Sequence, residues 1–288
     1  MRQCYNAEYM GKTLFLIVIL AIVAVVGWLI YDKYGMGDVP ASNSPLVTYS
    51  PFGTTEQSKE IEVYLPASGT TMVGTKFVNY GKGRAFENTI NYRISDGNGN
   101  HLYVGSFMTN AEAGVFGYFN QEVDLSKILK TIPPVIILDV LELSAKDGSD
   151  THKTSFKLNV DTSSTSVFVY FFNKNLDPET TCNKTFAVSR IIPKTQSVLK
   201  AAIEELLKGP TSDEKKLGFE TSLTNDVKLN SVKIVGDIAT VDLSKDQSGG
   251  SCRIGIVSSQ IANTAKQFSN VKKVIISVNG EAEGILQP

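Results

Sequence analysis

The hydrophobic pattern of the chain changes character three times. Residues Thr13 to Tyr31 read TLFLIVILAIVAVVGWLIY without a charged side chain. Nineteen residues at about 1.5 Å of helical rise span roughly 28 Å, close to the hydrocarbon thickness of a bilayer. Lys12 bounds the run on one side and Asp32–Lys33 on the other. Trp28 and Tyr31 stand near one end, where amphipathic rings favour the headgroup region. This predicts a transmembrane helix over 13–31. A core helix is rarely apolar around its whole circumference. A cleaved signal peptide is the rival reading; it normally has a shorter apolar region ending in small residues, whereas this run closes with GWLIY.

The segment that follows, residues 32–59, is rich in Gly, Pro, Ser and Thr and shows neither helical nor strand period. It is expected to be a flexible tether. From about Ile61 the pattern becomes short alternating segments: IEVYLP, TKFVNY, FENTINYRIS, HLYVGSFMT, VFGYFNQEVDL, VIILDVLELS and SFKLNV. In FENTINYRIS the residues Phe86, Ile90, Tyr92 and Ile94 fall mostly on one face, as a half-buried strand requires. Asp96-Gly97-Asn98-Gly99-Asn100 and Asp147-Gly148-Ser149-Asp150 mark turns. About seven strands with no helical period predict an all-β immunoglobulin-like sandwich over 60–161.

After an expected linker at Asp161–Ser166 the rhythm changes again. VFVYFFN and TFAVSRIIP read as strands. Thr195–Lys208 reads as a helix with Leu199, Ala202, Ile203, Leu206 and Leu207 on one face and Gly209-Pro210 as its stop. A hairpin turns at Gly236-Asp237. A second helix from about Ser251 carries Ile254, Val257, Ile261, Ala265 and Phe268, and VKKVIISVNG closes the unit. The order ββαββαβ predicts an α+β domain over 162–288, with helices on one face of a mixed sheet.

Residues of this last unit resemble the GerM domain of bacterial sporulation and germination proteins. They are Tyr170-Phe171, Arg190-Ile191-Ile192-Pro193, the run Glu205–Thr211 (ELLKGPT), Glu214, Gly218, Ala239–Ser244 (ATVDLS), Gln260-Ile261, Thr264, Gln267-Phe268, Val274-Ile275-Ile276 and Gly280. The preceding unit is similar to the immunoglobulin-like domain that often accompanies GerM domains, through Pro66, Gly69, Val73-Gly74, Ala85-Phe86-Glu87 and the Asp-Gly turn. The resemblance implies a bacterial envelope protein in sporulation, germination or envelope assembly. It also implies a fold akin to the small domains that stack into rings in secretion-type assemblies, and it carries over no catalytic residues. Relatives often carry a lipid-modified Cys after the apolar run, and this sequence has none there.

Composition adds exclusions. The formal net charge is −1, and the basic residues are scattered, so no concentrated field invites nucleic acid. The two histidines, His101 and His152, lie beside turns of the sandwich and outside the α+β unit. No HExxH, CxxC or phosphate-binding Gly loop occurs. A Ser-His-Asp triad has no histidine to use in the last unit. The carboxylates Glu204–Glu205 and Asp242 with Asp246 would serve a glycosidase only within a cleft. No metal, cofactor or catalytic residue is expected.

Arg2, Lys12 and the α-amino group outweigh Glu8 before the apolar run, whereas Lys33 stands between Asp32 and Asp38 after it. The basic excess places residues 1–12 in the cytoplasm and the bulk of the chain outside. The expected location is the cell membrane, through an uncleaved signal-anchor. An oxidising compartment then permits a disulfide between Cys182 and Cys252, with two free thiols as the alternative. The leading functional expectation is a membrane-anchored, non-catalytic envelope protein acting by assembly with itself or an envelope protein. A cell-wall glycan-binding accessory, with peptidoglycan as ligand, is the alternative. An envelope hydrolase is the third reading.

Overall fold

Strands with one apolar face need a partner sheet, and the N-terminal β-region supplies it from its own chain. The computed structural model describes residues 58–282 other than 68 and 71. The anchor expected at 13–31 and the tether up to residue 57 lie outside the described residues. No helix among the described residues is long and apolar enough to cross a membrane.

One sheet has the order β1 (Ile61–Leu65), β3 (Lys76–Gly83) and β6 (Gly117–Asp124). The other has the order β2 (Met72–Gly74), β8 (Asp150–Asp161), β7 (Val135–Leu143), β4 (Thr89–Asp96) and β5 (His101–Met108). Between the sheets lie Ile61, Phe77, Ile90, Ile94, Phe119, Ile136, Leu138 and Leu158, all buried. A short helix, α1 (Leu125–Ile128), follows β6 and is capped by the Asp124 carboxylate, which accepts from Ser126 N. All seven expected strands are present, together with the short β2.

One expectation is corrected. Phe86 is not on the buried face of β4; it lies in a 3-10 turn ahead of the strand, 68% exposed. Glu87 and Asn88 there have φ of 55° and 60°, left-handed values that no extended strand uses, so the apparent period broke at the turn.

The α+β domain begins with β9 (Thr165–Asn173) and β10 (Phe186–Ile192), followed by α2 (Val198–Leu207) and α3 (Ser212–Lys216). Then come β11 (Phe219–Glu220), β12 (Leu229–Val235), β13 (Ile238–Leu243), α4 (Ser251–Lys266) and β14 (Lys273–Val278). The element order contains the expected ββαββαβ, with α3 and β11 added. The strands do not form one mixed sheet, however. They divide into β10-β9-β11 and β12-β13-β14, the latter antiparallel on the β12 side and parallel on the β14 side. The division has a local cause: β11 is only two residues long and leaves most of that edge of β9 unpaired. Side chains of α4 satisfy the edge instead. Gln267 donates to Phe168 O (2.7 Å) and accepts from Phe168 N (2.9 Å), and Thr264 Oγ1 accepts from Tyr170 N (3.2 Å).

The linker expected at Asp161–Ser166 is shorter than that. Only residues 162–164 separate β8 from β9, and they form a tight turn. Asp161 Oδ1 accepts from Ser163 N (2.7 Å), Ser163 Oγ (2.6 Å) and Ser164 N (3.2 Å). The two domains moreover share a core. Leu65, Val78 and Tyr80 of the sandwich are buried in one cluster with Phe168, Phe171, Ile203, Leu206, Phe219 and Val257 of the α+β domain. The β3 strand is therefore covered on both faces: Phe77 enters the sandwich core and its neighbour Val78 the joint core.

Polar contacts close the seam. Tyr80 is fully buried, and its hydroxyl donates to Leu217 O at 2.8 Å. Tyr170 Oη donates to Glu122 (2.7 Å), Asn110 Nδ2 to Asn175 O (2.8 Å) and Asn120 Nδ2 to Ala187 O (3.0 Å). A Cβ at Gly74 would fall 1.8 Å from Ser166 Oγ, so β2 approaches the start of β9 more closely than a side chain permits.

Candidate functional site

The motif residues of the α+β domain are spent on internal structure. Arg190, on β10, donates two hydrogen bonds to Glu214, from Nη1 at 2.6 Å and from Nη2 at 2.8 Å. Glu214 is 2% exposed and also accepts from Thr211 N at 2.8 Å, while its own N–H donates to Thr211 Oγ1. This is a capping box that starts α3 and ties it to β10. Leaving one member of such a buried pair alone costs about 3–5 kcal/mol. Gly209, at φ 75°, ends α2 in the left-handed conformation that glycine tolerates best. Gln260 Oε1 accepts from Ser222 N (3.2 Å).

The candidate acids do not converge. Glu204 pairs with Lys200 and Glu205 with Lys208, both along the α2 surface. Asp242 Oδ1 accepts from Ser277 Oγ (2.7 Å) and Gly280 N (2.8 Å), and Oδ2 accepts from Asn230 Nδ2 (3.0 Å). Burial raises this carboxyl, but the hydrogen bonds outweigh burial and hold it below its ordinary range. Asp246 caps the next loop by accepting from Ser248 N (3.1 Å). His101 is exposed at the start of β5, and His152 Nδ1 lies 2.9 Å from Glu142 Oε2 in the sandwich. Among the described residues no three His, Cys, Asp or Glu side chains are placed to hold a metal ion.

Cys182 and Cys252 are joined in a disulfide, with Cα atoms 4.7 Å apart. The bond fastens the β9–β10 loop to the first turn of α4. A Cβ at Gly255, one turn on, would lie 2.4 Å from Cys182 O, so the loop rests directly on the helix backbone.

Several strands end their sheets, β5 and β14 among them, but of these edges β12 is the one with a hollow beside it. Among the described residues β12 pairs only with β13 and forms an edge of its sheet. Its end exposes Ile234 (42%) and Val235 (78%). Beside it is a pocket of about 380 Å³ walled by Val198, Leu199, Val232, Ile234 and Phe268, with Gln196, Ser197, Lys200 and Asn270 completing its lining. Ser197 is the N-cap of α2, and its side chain makes no capping hydrogen bond. Backbone donors of the first helical turn therefore stand at the pocket. An unpaired strand edge with apolar side chains is suited to receiving an extended segment of another chain. Periodicity alone did not single out this site. The available signal was Ile234-Val235 just before the Gly236-Asp237 turn, because consecutive apolar residues in a strand must place one on each face.

Comparison with known proteins settles the relationship of both domains. Residues 168–284 match the family described as Sporulation and spore germination. Residues 60–149 match the Immunoglobulin-like domain of bacterial spore germination. The chain carries both germination domains. Among solved structures it is similar to the tandem GerMN domains of the sporulation protein GerM from Bacillus subtilis. That match has 29% identity, a TM-score of 0.33, and coverage of 42% of this chain and 40% of that one. The chain thus spans well under half the length of that structure. The first GerMN domain of the same protein matches at 24% identity, covering 43% of this chain and 92% of that one, with a TM-score of 0.29. A putative lipoprotein from Clostridium perfringens matches at 23% identity, covering 43% and 81%, with a TM-score of 0.30. No curated protein matches the chain. The germination domain defined by the first match contains the Arg190–Glu214 pair, the disulfide and the open β12 edge.

Proposed function

We propose that this chain is a membrane-anchored, non-catalytic protein of a bacterial envelope that works in sporulation or germination through protein–protein assembly. The apolar run at 13–31 is the anchor, and the two germination domains stand on the extracytoplasmic side. The supporting observation is the contrast within the germination domain. Its polar motif residues are bonded to one another, whereas the β12 edge and the adjoining pocket are left open. Strand addition at β12 would supply main-chain hydrogen bonds, and the pocket would receive alternate side chains of the incoming segment. The partner is a second copy of the chain or another envelope protein.

Sedimentation velocity of the portion from residue 59 onward tests the self-assembly arm. Association that rises with concentration, and that Val235→Lys suppresses, supports it; a strict monomer at high concentration refutes it. Sedimentation with purified peptidoglycan separates the assembly reading from glycan binding, since only a glycan binder pellets with it.

A further inference from the structure

Half of the large apolar side chains left exposed among the described residues lie at one end of the sandwich. They are Phe86 (68%), Met108 (66%), Val115 (54%), Phe116 (43%) and Leu143 (37%). Strand register places them together. Thr89 pairs with Met108, Gly83 with Gly117, and Leu143 with Asp150 at the end of the β7–β8 pair. Gly114 N donates to Ala85 O, and Phe86 N donates to Glu142 Oε1 at 2.7 Å. Phe86, the 110–116 loop and the end of β7 therefore share one tip.

The tip is built to hold these rings outward. The turn after Phe86 keeps two successive non-glycine residues in the left-handed region, a conformation retained only where the surroundings enforce it. The enforcement is visible: Asn88 Nδ2 donates to Thr109 O (3.0 Å), and Thr109 N donates to Asn88 O (3.3 Å). The Phe116 ring is held by two cations, with the Arg84 guanidinium 5.1 Å and Lys82 Nζ 5.7 Å from its centroid. Both cations are already paired, Arg84 with Glu60 and Lys82 with Glu62. The tip thus presents apolar rings whose two facing cations are neutralised, beside the exposed carboxylates of Glu87 and Glu112.

The same end is where the polypeptide enters the sandwich. Arg84 N donates to Glu60 O, and Ile61 pairs with Gly83 at the start of β1. The chain arriving here comes from the apolar run at 13–31 through residues 32–57. On the tether reading of residues 32–57 given above, a chain of that length has a root-mean-square reach of about 30 Å, which would keep this tip near the surface in which the run is embedded.

We infer that the tip bearing Phe86, Met108, Val115 and Phe116 inserts into the interfacial layer of the bilayer that holds the anchor. The inference rests on the anchor reading above. The headgroup–acyl boundary accepts exposed aromatic and aliphatic side chains flanked by polar groups. Tethering makes even weak insertion effective, because the tip never leaves the surface. Because the cations are paired while Glu87 and Glu112 are exposed, insertion does not need anionic lipid and is weaker where lipid charge is added.

The test uses the full chain in proteoliposomes of phosphatidylcholine, with and without phosphatidylglycerol. Part of the lipid carries bromine at a shallow or a deep acyl position. Trp28 is the single tryptophan of the chain and reports on the anchor directly. In a Trp28→Phe background, Phe116→Trp and, separately, Phe86→Trp report on the tip, and Asn98→Trp, at the opposite turn, is the control. Loss of most of the emission of Phe116→Trp and Phe86→Trp with shallow bromine in phosphatidylcholine alone, no greater with phosphatidylglycerol added, with Asn98→Trp unaffected, supports the inference. Tip variants no more quenched than Asn98→Trp, while Trp28 is quenched by shallow bromine, overturn the docking and leave the anchor standing. Trp28 unquenched in the unsubstituted chain overturns the anchor itself.

Discussion

Tyr80 is where the two germination domains meet most completely, and its substitution isolates what the seam contributes. Its ring lies 5.1 Å from Phe219 across the seam and 5.8 Å and 6.2 Å from Tyr64 and Tyr118. Its hydroxyl donates to Leu217 O, and Asn175 Nδ2 approaches its oxygen at 3.3 Å. Burial pushes the phenol pKa up, so the group is a neutral donor at any ordinary pH. Tyr80→Phe keeps the ring and removes the hydroxyl. Leu217 O still accepts from Asn173 and Asn175 Nδ2, at 3.2 and 3.1 Å, so the carbonyl is not stranded. The expected cost is therefore that of one buried hydrogen bond with partial compensation, about 1–2 kcal/mol. For a unit of this size that lowers Tm by about 2–8 °C. Tyr80→Ala also empties the ring's volume in the joint core and should cost about 3–5 kcal/mol. Differential scanning calorimetry with parallel urea titrations distinguishes the two. The unsubstituted chain and Tyr80→Phe should unfold in one transition, and Tyr80→Ala should broaden or split it as the domains uncouple. Two well-separated transitions in the unsubstituted chain, or an unshifted Tm in Tyr80→Ala, would refute the shared core.

Other consequences are open to direct measurement. The Cys182–Cys252 bond closes a loop with a sequence separation of 70, and by the chain-entropy model this contributes on the order of 4 kcal/mol. Cys182→Ser with Cys252→Ser should lower the urea midpoint markedly and remove its sensitivity to reductant. A midpoint unchanged in the double variant would count against that role. Asp150 is brought from its ordinary 3.8 to about 2 by hydrogen bonds from Arg93, and Asp161 to about 2 by hydrogen bonds from Ser163 and Ser164. Folded-state values below the unfolded ones contribute stability that is present above about pH 4 and lost as pH falls through about 4 to about 2. Asp150→Asn with Asp161→Asn should flatten the acid limb of a stability-against-pH curve. An acid limb as steep as in the unsubstituted chain would contradict the assignment.

Alternation made the sandwich strands legible because each had one face to hide. The α2 helix was equally plain, with Leu199, Ala202, Ile203 and Leu206 buried as their spacing required. What escaped had competing local chemistry. The Asp161–Ser166 stretch has a linker's composition, yet one carboxylate accepting three hydrogen bonds makes it a tight turn. The α3 helix is too short for periodicity to register, although Thr211 and Glu214 stand at capping-box spacing. The seam was foreshadowed in β3, where Phe77 and Val78 are adjacent apolar residues and so face opposite sides. That pattern calls for cover on both faces, but it cannot name what supplies the second. The open β12 edge is a matter of which strands pair, and pairing lies outside what spacing alone encodes.

The three-residue turn at 162–164 has a mechanical meaning. With so short a connection and a core common to both domains, the sandwich cannot swing independently of the germination domain. The two act as a gauge block. The separation between the Phe86–Phe116 tip and the β12 edge is set by packing, not by a hinge. A surface engaged at the first fixes the height and heading at which the second is offered. A variant that opened the shared core, such as Tyr80→Ala, would lose that setting while the turn stayed as it is.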